Sequence, residues 1–341
     1  MAPDLALDIE DVPALRAYLE SAGHIAPGEP VRIVTLAGGV SNRTVLVERP
    51  QGERWVLKQA LGKLRVPVDW FSSPERIGRE AAGLRWIPRL TWPGATPALV
   101  FEDARHHLLA MTAVPEPHRN WKTMLLDGVI EADHVRQFAG LLGAIHANGY
   151  RMRDELGRIF EDRTFFETLR LEPYYRYTGT VVPEAAGFLD GLCEETLAVR
   201  ISVVHGDFSP KNVLVHDGRL VLLDHEVMHF GDPAFDLGFS LAHFLSKAHH
   251  VARRRAAFGE AALAYWDAYS RGVAEVGIAE RVEARAVRHT LACLLARVAG
   301  RSCLEYLAEE ERARQRRVVL SLVKRMPAGI PDAIAGFLER L

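Results

Sequence analysis

The segment HGDFSPKNVLVHDGRLVLLDHE, residues 205–226, decides how this chain is read. Two apolar runs, Val213 to Val215 and Leu220 to Leu223, flank the turn residues His216, Asp217 and Gly218, so they are expected to pair as a β-hairpin. If Gly218 takes the left-handed position of a three-residue loop with a bulge, Asn212 lies opposite Leu222, with Asp224 two residues beyond on the same face. A two-residue turn would put the amide and the carboxylate on opposite faces. Asp207, in the Gly-containing loop that leads into the hairpin, completes a polar triangle. Asp and Asn also cap turns, but three of them around one apolar hairpin exceed what capping requires.

An amide oxygen beside a carboxylate suits magnesium, which prefers hard oxygen ligands and keeps phosphate oxygens and waters in its shell. Asn212 and Asp224 are therefore the candidate metal ligands. Asp207 is the candidate base, the carboxylate that accepts a hydroxyl proton in phosphoryl transfer. Outside this segment, Lys58 shares a strand face with Val56 in WVLKQA, and a lysine on a partly buried face needs an anionic partner. Glu80, in the helix that follows, is the candidate partner, and a strand Lys held by a helix Glu orients ATP phosphates in kinases. The GGVSN turn, residues 38–42, is a hairpin connection whose amides, with Gly38, Gly39, Ser41 and Asn42, are positioned to cover nucleotide phosphates.

The rest of the chain frames these residues. Of 341 residues 48% are hydrophobic, and 42 Lys+Arg against 44 Asp+Glu give a net charge of -2, which excludes a disordered chain and a generally nucleic-acid-binding surface. This length favours two structural units over one. Three scattered cysteines, Cys193, Cys293 and Cys303, make no disulfide framework, and MAPDLALDIEDV lacks the pattern of a signal peptide. No stretch nears the ~18 apolar residues of a membrane span, so the expected setting is the cytoplasm. A short helix capped by Asp11 precedes β-rich runs in VRIVTLAGGVSNRTVLVE, RWVLKQA, PALVFED and HLLAMTAV. Between them, Ser72 and Glu75 have capping-box spacing ahead of a helix to Ile87. After the prolines of VPEPHRN the pattern turns helical, with Phe138, Leu141, Leu142 and Ile145 in one stripe that closes at Asn148 and Gly149. The expected organisation is α+β: an amino-terminal lobe, residues 1–114, with a small antiparallel sheet and the Glu80 helix, and a mainly helical lobe, residues 115–341, carrying the hairpin.

These motifs resemble the aminoglycoside phosphotransferase and choline kinase family, small-molecule kinases of the protein-kinase-like fold, over about residues 30–250. HGDFSPKN resembles that family's catalytic loop, and LLDHE followed by GDPAFDLG its second metal motif. The resemblance implies a two-lobed fold, ATP and magnesium, and a small hydroxyl acceptor: a sugar, an amino alcohol or an aminoglycoside-like compound. It also implies that Asp236 braces the catalytic loop, that His205 packs in it, and that Thr112 and Val114 of MTAV meet adenine through their main chain. No nucleic-acid or membrane partner is expected. The long activation segment of protein kinases has no room between Asp224 and Asp236. KQALGKLRVPVDW resembles the corresponding segment of methylthioribose kinases, which makes methylthioribose one candidate acceptor.

Two other readings use the same residues. A nucleotide-binding pseudokinase would keep the fold for partner contacts, and a metal-dependent phosphohydrolase would build on Asp224, His225 and others of the 14 histidines. HFLSKAHH, residues 243–250, reads as a surface or interhelix segment rather than a metal site. Arg297 and Arg301, at i,i+4 spacing, read as surface salt-bridge donors or, alternatively, as holders of an anionic acceptor.

Overall fold

A computed structural model describes residues 7–36, 39–66 and 69–341. Gly38, expected to cover phosphates, lies outside the described residues. The short helix α1, Val12–Ser21, begins where Asp11 accepts from the Ala14 N–H at 3.2 Å, and it buries Leu15 and Leu19. Strands β1 (Arg32–Thr35), β2 (Asn42–Glu48), β3 (Arg54–Ala60), β4 (Leu99–Asp103) and β5 (Leu108–Thr112) form an antiparallel sheet in the order β1-β2-β3-β5-β4. Lys58 sits mid-sheet, opposite Thr44 on one side and Leu109 on the other.

Helix α2, Arg76–Leu90, crosses between β3 and β4. It starts later than the capping-box reading predicted. Glu75 makes no side-chain cap, and the local turn is held instead by Ser73 Oγ, which accepts from the Glu75 N–H at 3.3 Å. The buried Arg76 side chain dominates this end, donating to the Ser72 carbonyl at 3.2 Å and the Leu61 carbonyl at 3.0 Å.

The second part is mainly helical. The predicted stripe Phe138, Leu141, Leu142 and Ile145 lies on the helix Ala132–Arg151 and is fully buried, each side chain contributing about 1.5–3 kcal/mol by leaving water. That helix runs through Gly149 to Arg151 rather than stopping there; glycine at this position serves close packing, since a Cβ would meet Ser202 Oγ at 2.4 Å. The helix Ala234–His250 is buried nearly all round and packs most heavily on the helix Ile278–Ala299. Among the described residues no helix is long and apolar enough to cross a membrane.

Two small ribbons sit at the junction. Strand β6 (His118–Asn120) joins β8 (Val213–His216) and β9 (Arg219–Leu222), while β7 (Ser202–Val204) pairs with β10 (His229–Gly231). The architecture is the two-part kinase-like one, a five-stranded sheet with its helix set over a larger helical body.

Candidate active site

The β8-β9 hairpin closes by a two-residue turn, which corrects the register expected from a three-residue loop. Val213 pairs with Leu222 and His216 with Arg219, leaving Asp217 (φ 47°) and Gly218 (φ 70°) as the turn. Two successive positive φ angles give the turn whose twist matches the strands, and Asp tolerates the left-handed region better than most residues. Strand alternation therefore does not bring the polar residues together. Departures from strand geometry set their positions: Asn212 ends a single tight turn, Pro210–Asn212, and reaches Asp207 at 2.6 Å, while Asp224, with φ 70° just past β9, lines the same cavity as Asp207. The Leu223 N–H bonds the Asn212 carbonyl at 2.8 Å, so Asp224 starts one residue from the Asn212 position and leaves the ribbon at an angle no strand residue takes.

Asp224 faces Lys58. The Lys58 ammonium lies 2.7 Å from Glu80 Oε1 and 3.0 Å from Asp224 Oδ1, joining β3, α2 and the end of the hairpin. Burial alone would discharge Lys58, but Asp224 and Glu80 outweigh it and hold its pKa above the usual value. Burial would likewise raise Asp224, yet Lys58, with Lys211 behind it, keeps that carboxyl well below the usual range. Glu80 differs: burial, reinforced by Asp224 and Glu226 against the pull of Lys58, pushes it up to about 7. Of the two acids sharing one ammonium, Asp224 is the one firmly ionised, and its Oδ2 is not engaged by the lysine.

Asp207 is held at one oxygen. Asn212 Nδ2 donates to Oδ2 at 2.6 Å, and Arg170 reaches the same oxygen at 2.9 Å. Oδ1 is left without a protein donor among the described residues. The same Asn212 amide nitrogen also meets the Asp207 carbonyl at 3.0 Å, which leaves its amide oxygen available. Arg170 was not singled out from the sequence. It comes from a wide helix of π geometry, Glu167–Arg176, and also donates to the Gly206 carbonyl at 2.7 Å.

The loop carrying Asp207 is braced from below. Asp236 accepts from the His205 N–H at 2.7 Å and the Gly206 N–H at 2.8 Å, and His146 Nε2 lies 3.2 Å from it. Gly206 has φ 76°, and a Cβ there would lie 2.9 Å from the Val227 side chain, so only glycine fits without displacement. The Asp207 N–H donates to His205 Nδ1 at 3.2 Å, which fixes the neutral ring's proton on Nε2. His205 Nε2 then meets His225 Nδ1 at 3.1 Å, His225 Nε2 meets Thr96 Oγ1 at 2.8 Å, and Thr96 donates to the Leu222 carbonyl. Burial lowers the pKa of both histidines, as a neutral relay requires.

The remaining predicted residues divide. Gly39, Thr112 and Val114 line a cavity of about 430 Å³ with apolar walls that include Leu46, Val56 and Met111, and Lys58 lines it too. The Thr112 N–H is engaged by the Ala98 carbonyl at 2.9 Å. Ser41 lines a second cavity, of about 410 Å³, with Asp207 and Asp224. Asn42 is buried, and its Nδ2 bonds Glu226 Oε2 at 3.2 Å, tying the start of β2 to the segment after Asp224. Arg76 Nε meets the same Glu226 oxygen at 3.0 Å. Arg76, on a helix, and Glu226, in the turn after Asp224, escaped the sequence reading because a charged side chain carries no local sign of being buried. Among the described residues no cluster of three or more His, Cys, Asp or Glu is placed to hold a metal on its own. The oxygens of Asp224 and Asn212 fit a hard cation that takes its other ligands from phosphate and water.

Comparison with known proteins agrees with this geometry. The chain is 25% identical to methylthioribose kinase 2 of Oryza sativa subsp. japonica over 264 residues, 70% of this chain and 60% of that protein. It thus spans about 60% of the length of that curated relative. Two solved structures share its fold. The amicoumacin kinase hAmiN, in complex with AMP-PNP, Ca2+ and Ami, superposes with TM-score 0.57 at 15% identity, covering 94% of this chain and 97% of that one. The choline kinase of Cryptosporidium parvum Iowa II does so with TM-score 0.57 at 10% identity, covering 97% and 99%. The sequence model of one family matches residues 32–276, the sheet, the Lys58 and Glu80 pair, the catalytic-loop segment and the hairpin together, and the chain belongs to that phosphotransferase enzyme family, APH.

Proposed function

We propose that this protein is a small-molecule kinase that transfers the γ-phosphoryl group of ATP to a hydroxyl of a small metabolite with magnesium. The observation that carries the reading is the Lys58 ammonium, which lines the apolar cavity, bridging Glu80 and Asp224 at 2.7 and 3.0 Å, with Asp224 lining the second cavity together with Asp207. Adenine occupies the apolar cavity against the Thr112 carbonyl and the Val114 N–H. Gly39 and Ser41 cover the phosphates, and Lys58, oriented by Glu80, binds the α- and β-phosphates. Asn42 contributes by anchoring that loop to Glu226.

Asp207 Oδ1 accepts the acceptor's hydroxyl proton while Arg170 and Asn212 fix the carboxylate by Oδ2. The acceptor oxygen forms a bond to the γ-phosphorus, the bond from that phosphorus to the β,γ-bridging oxygen breaks, and the products are a phosphate ester, ADP and the proton. Asp224 and Asn212 would hold the magnesium, which neutralises charge on the phosphates. Methylthioribose, named for the rice relative, is one candidate acceptor, and sugars and amino alcohols are others. The setting we assign is cytoplasmic.

Calorimetric titration with AMP-PNP tests the reading. Binding should require magnesium, and Asp224→Ala should weaken it by about tenfold or more, in the range set by losing one metal ligand. Equal affinity with and without magnesium would overturn the metal assignment, and no AMP-PNP binding at all would overturn the kinase reading.

A further inference from the structure

The cavity that holds Asp207 and Asp224 has a second end, built by the helices Ala234–His250 and Ile278–Ala299 and the segment that follows them. Its chemistry is unlike the first. Each carboxylate lining the cavity already has a basic partner: Asp224 has Lys58, Asp207 has Arg170, Glu226 has Arg76, and Glu305 has Lys122. Arg297 has none among the described residues, although it is only 8% exposed. Its guanidinium donates to the Ser302 carbonyl and hydroxyl at 2.9 Å each and to His243 Nε2 at 3.1 Å, and lies 4.9 Å over the Tyr174 ring. Its Nε is buried with no partner.

A second buried cation stands behind it. Lys247 is 0% exposed; among the described residues its ammonium donates to the His243 carbonyl at 3.3 Å and lies 5.7 Å from the Tyr306 ring, so one histidine touches both groups. Burial first, then Lys122 and Arg297, with Glu305 opposing them, lower its pKa to about 7. His243 accepts from Arg297 and is held neutral by burial and the same cations, so it offers no counter-charge. At the rim, Arg301 meets Glu172 at 3.4 Å and its own Nε is unpartnered.

A structural role for Arg297 accounts for part of this. It lies in the last turn of its helix, where the helix dipole favours a cation by about 0.3–1 kcal/mol. That does not explain why Arg297 is buried beside Lys247 with no acid in ion-pair contact among the described residues, Glu305 acting on both only from beyond that distance while paired with Lys122, an arrangement that desolvation makes costly. An anion supplied from outside does explain it, because a carboxylate or phosphate receives charge-assisted hydrogen bonds from a planar guanidinium.

We propose, on the basis of the kinase reading above, that this end of the cavity binds an anionic group on the hydroxyl acceptor, a carboxylate or a phosphate. Arg297 is the principal ligand, and Arg301 and Lys122 flank it. The acceptor would then carry its negative charge at the Arg297 end and its reacting hydroxyl at Asp207. This narrows the substrate class to hydroxy acids and phosphorylated alcohols, and it sets the site apart from one shaped for cationic or neutral alcohols.

A matched panel decides it: gluconate, glucose 6-phosphate, glucose, glucosamine and methylthioribose. Each is titrated calorimetrically into the full-length protein, with and without saturating AMP-PNP, and offered with ATP in an ADP-release assay. At least one anionic member should bind about 10- to 100-fold more tightly than the neutral and amine members, the range of one or two charge-assisted hydrogen bonds. The gluconate and glucose 6-phosphate arms separate carboxylate from phosphate. Arg297→Gln should erase that preference by raising KM rather than lowering kcat, and the more exposed Arg301→Gln should reduce it even if the buried variant folds poorly. Preference for glucose, glucosamine or methylthioribose, a preference that survives both substitutions, or binding of no member would overturn the inference. The first two outcomes leave AMP-PNP binding, and hence the kinase reading, intact.

Discussion

The cleft contains two groups of buried charge that differ in one respect. Around Lys58, the buried cations each have an acid within 3.0 Å: Glu80 and Asp224 for Lys58, Glu226 for Arg76, Asp207 for Arg170. Around Arg297, the buried Arg297 and Lys247 share a neutral histidine and, among the described residues, no acid in ion-pair contact, Glu305 acting on both from farther off while paired with Lys122. A closed set of pairs is stable without ligand and holds its members in place, which is what positioning chemistry needs. An unbalanced set is destabilising until something negative enters. The first group thus looks like machinery and the second like a receptor, and the contrast can be tested by removing one member of each.

The largest effect is expected in the balanced group. Asp207→Ala should lower turnover by about 10²- to 10⁴-fold on any true acceptor, the usual size of a lost proton acceptor. It should change AMP-PNP affinity far less than turnover, since Asp207 is not bonded to Lys58 and reaches the proposed metal site only through the Asn212 amide nitrogen. Undiminished turnover would remove Asp207 from the reaction and would leave the balanced group as scaffolding only.

In the unbalanced group the effect should fall on stability and have the opposite sign. The Lys247 pKa is about 7 when folded against an ordinary 10.5, so between those values the unfolded chain binds more protons than the folded one. Stability therefore rises with pH across that window, and the penalty is full below it. Lys247→Met should be more stable than the wild type at neutral pH by about 1–4 kcal/mol, as when buried ions are replaced by apolar side chains. The gap should shrink by about 2 kcal/mol between about pH 7 and pH 9, because each pH unit inside the window is worth about 1.4 kcal/mol. Urea unfolding curves with parallel pH dependence for the two proteins would show that Lys247 is not held in a cationic pocket.

The two groups also differ in how well the sequence reveals them. Lys58, Asp207, Asn212 and Asp224 stand out because a lysine inside a period-2 apolar run and three polar residues around a hairpin are anomalies visible over a few positions, and Glu80 follows only as the acid that Lys58 needs. The strands of the sheet were legible for the same reason. The hairpin's register was not, because Asp-Gly accepts either a two-residue or a three-residue closure, and the choice rests on Asp217 adopting φ 47°. Arg76, Arg170 and Glu226 were missed, and Arg297 was read as a surface donor with an anionic acceptor as the alternative. The partners of the first three lie far along the chain, 150 residues away for Arg76 and Glu226, and a charged residue looks solvated until its neighbours in space are known. The wide helix that brings in Arg170 has no periodicity that distinguishes it from an ordinary one.

The smallest expected effect concerns Asn42, where sequence and structure assign different duties. The turn GGVSN suggests an amide reaching toward phosphates, but the side chain is buried and bonds Glu226 Oε2 at 3.2 Å. The same oxygen takes Arg76 Nε at 3.0 Å, so Glu226 keeps a charged partner when Asn42 is removed. Asn42 Oδ1 is itself buried without a partner, which offsets part of what its Nδ2 contributes. Asn42→Ala should therefore cost no more than about 1 kcal/mol of stability, the net worth of one hydrogen bond, and change AMP-PNP affinity by less than about threefold. A loss of about tenfold or more in AMP-PNP affinity, with unfolding unchanged, would mean that the amide turns from Glu226 to the nucleotide when the site fills. Asn42 would then have to be counted as part of the phosphate site and not of the frame that holds it.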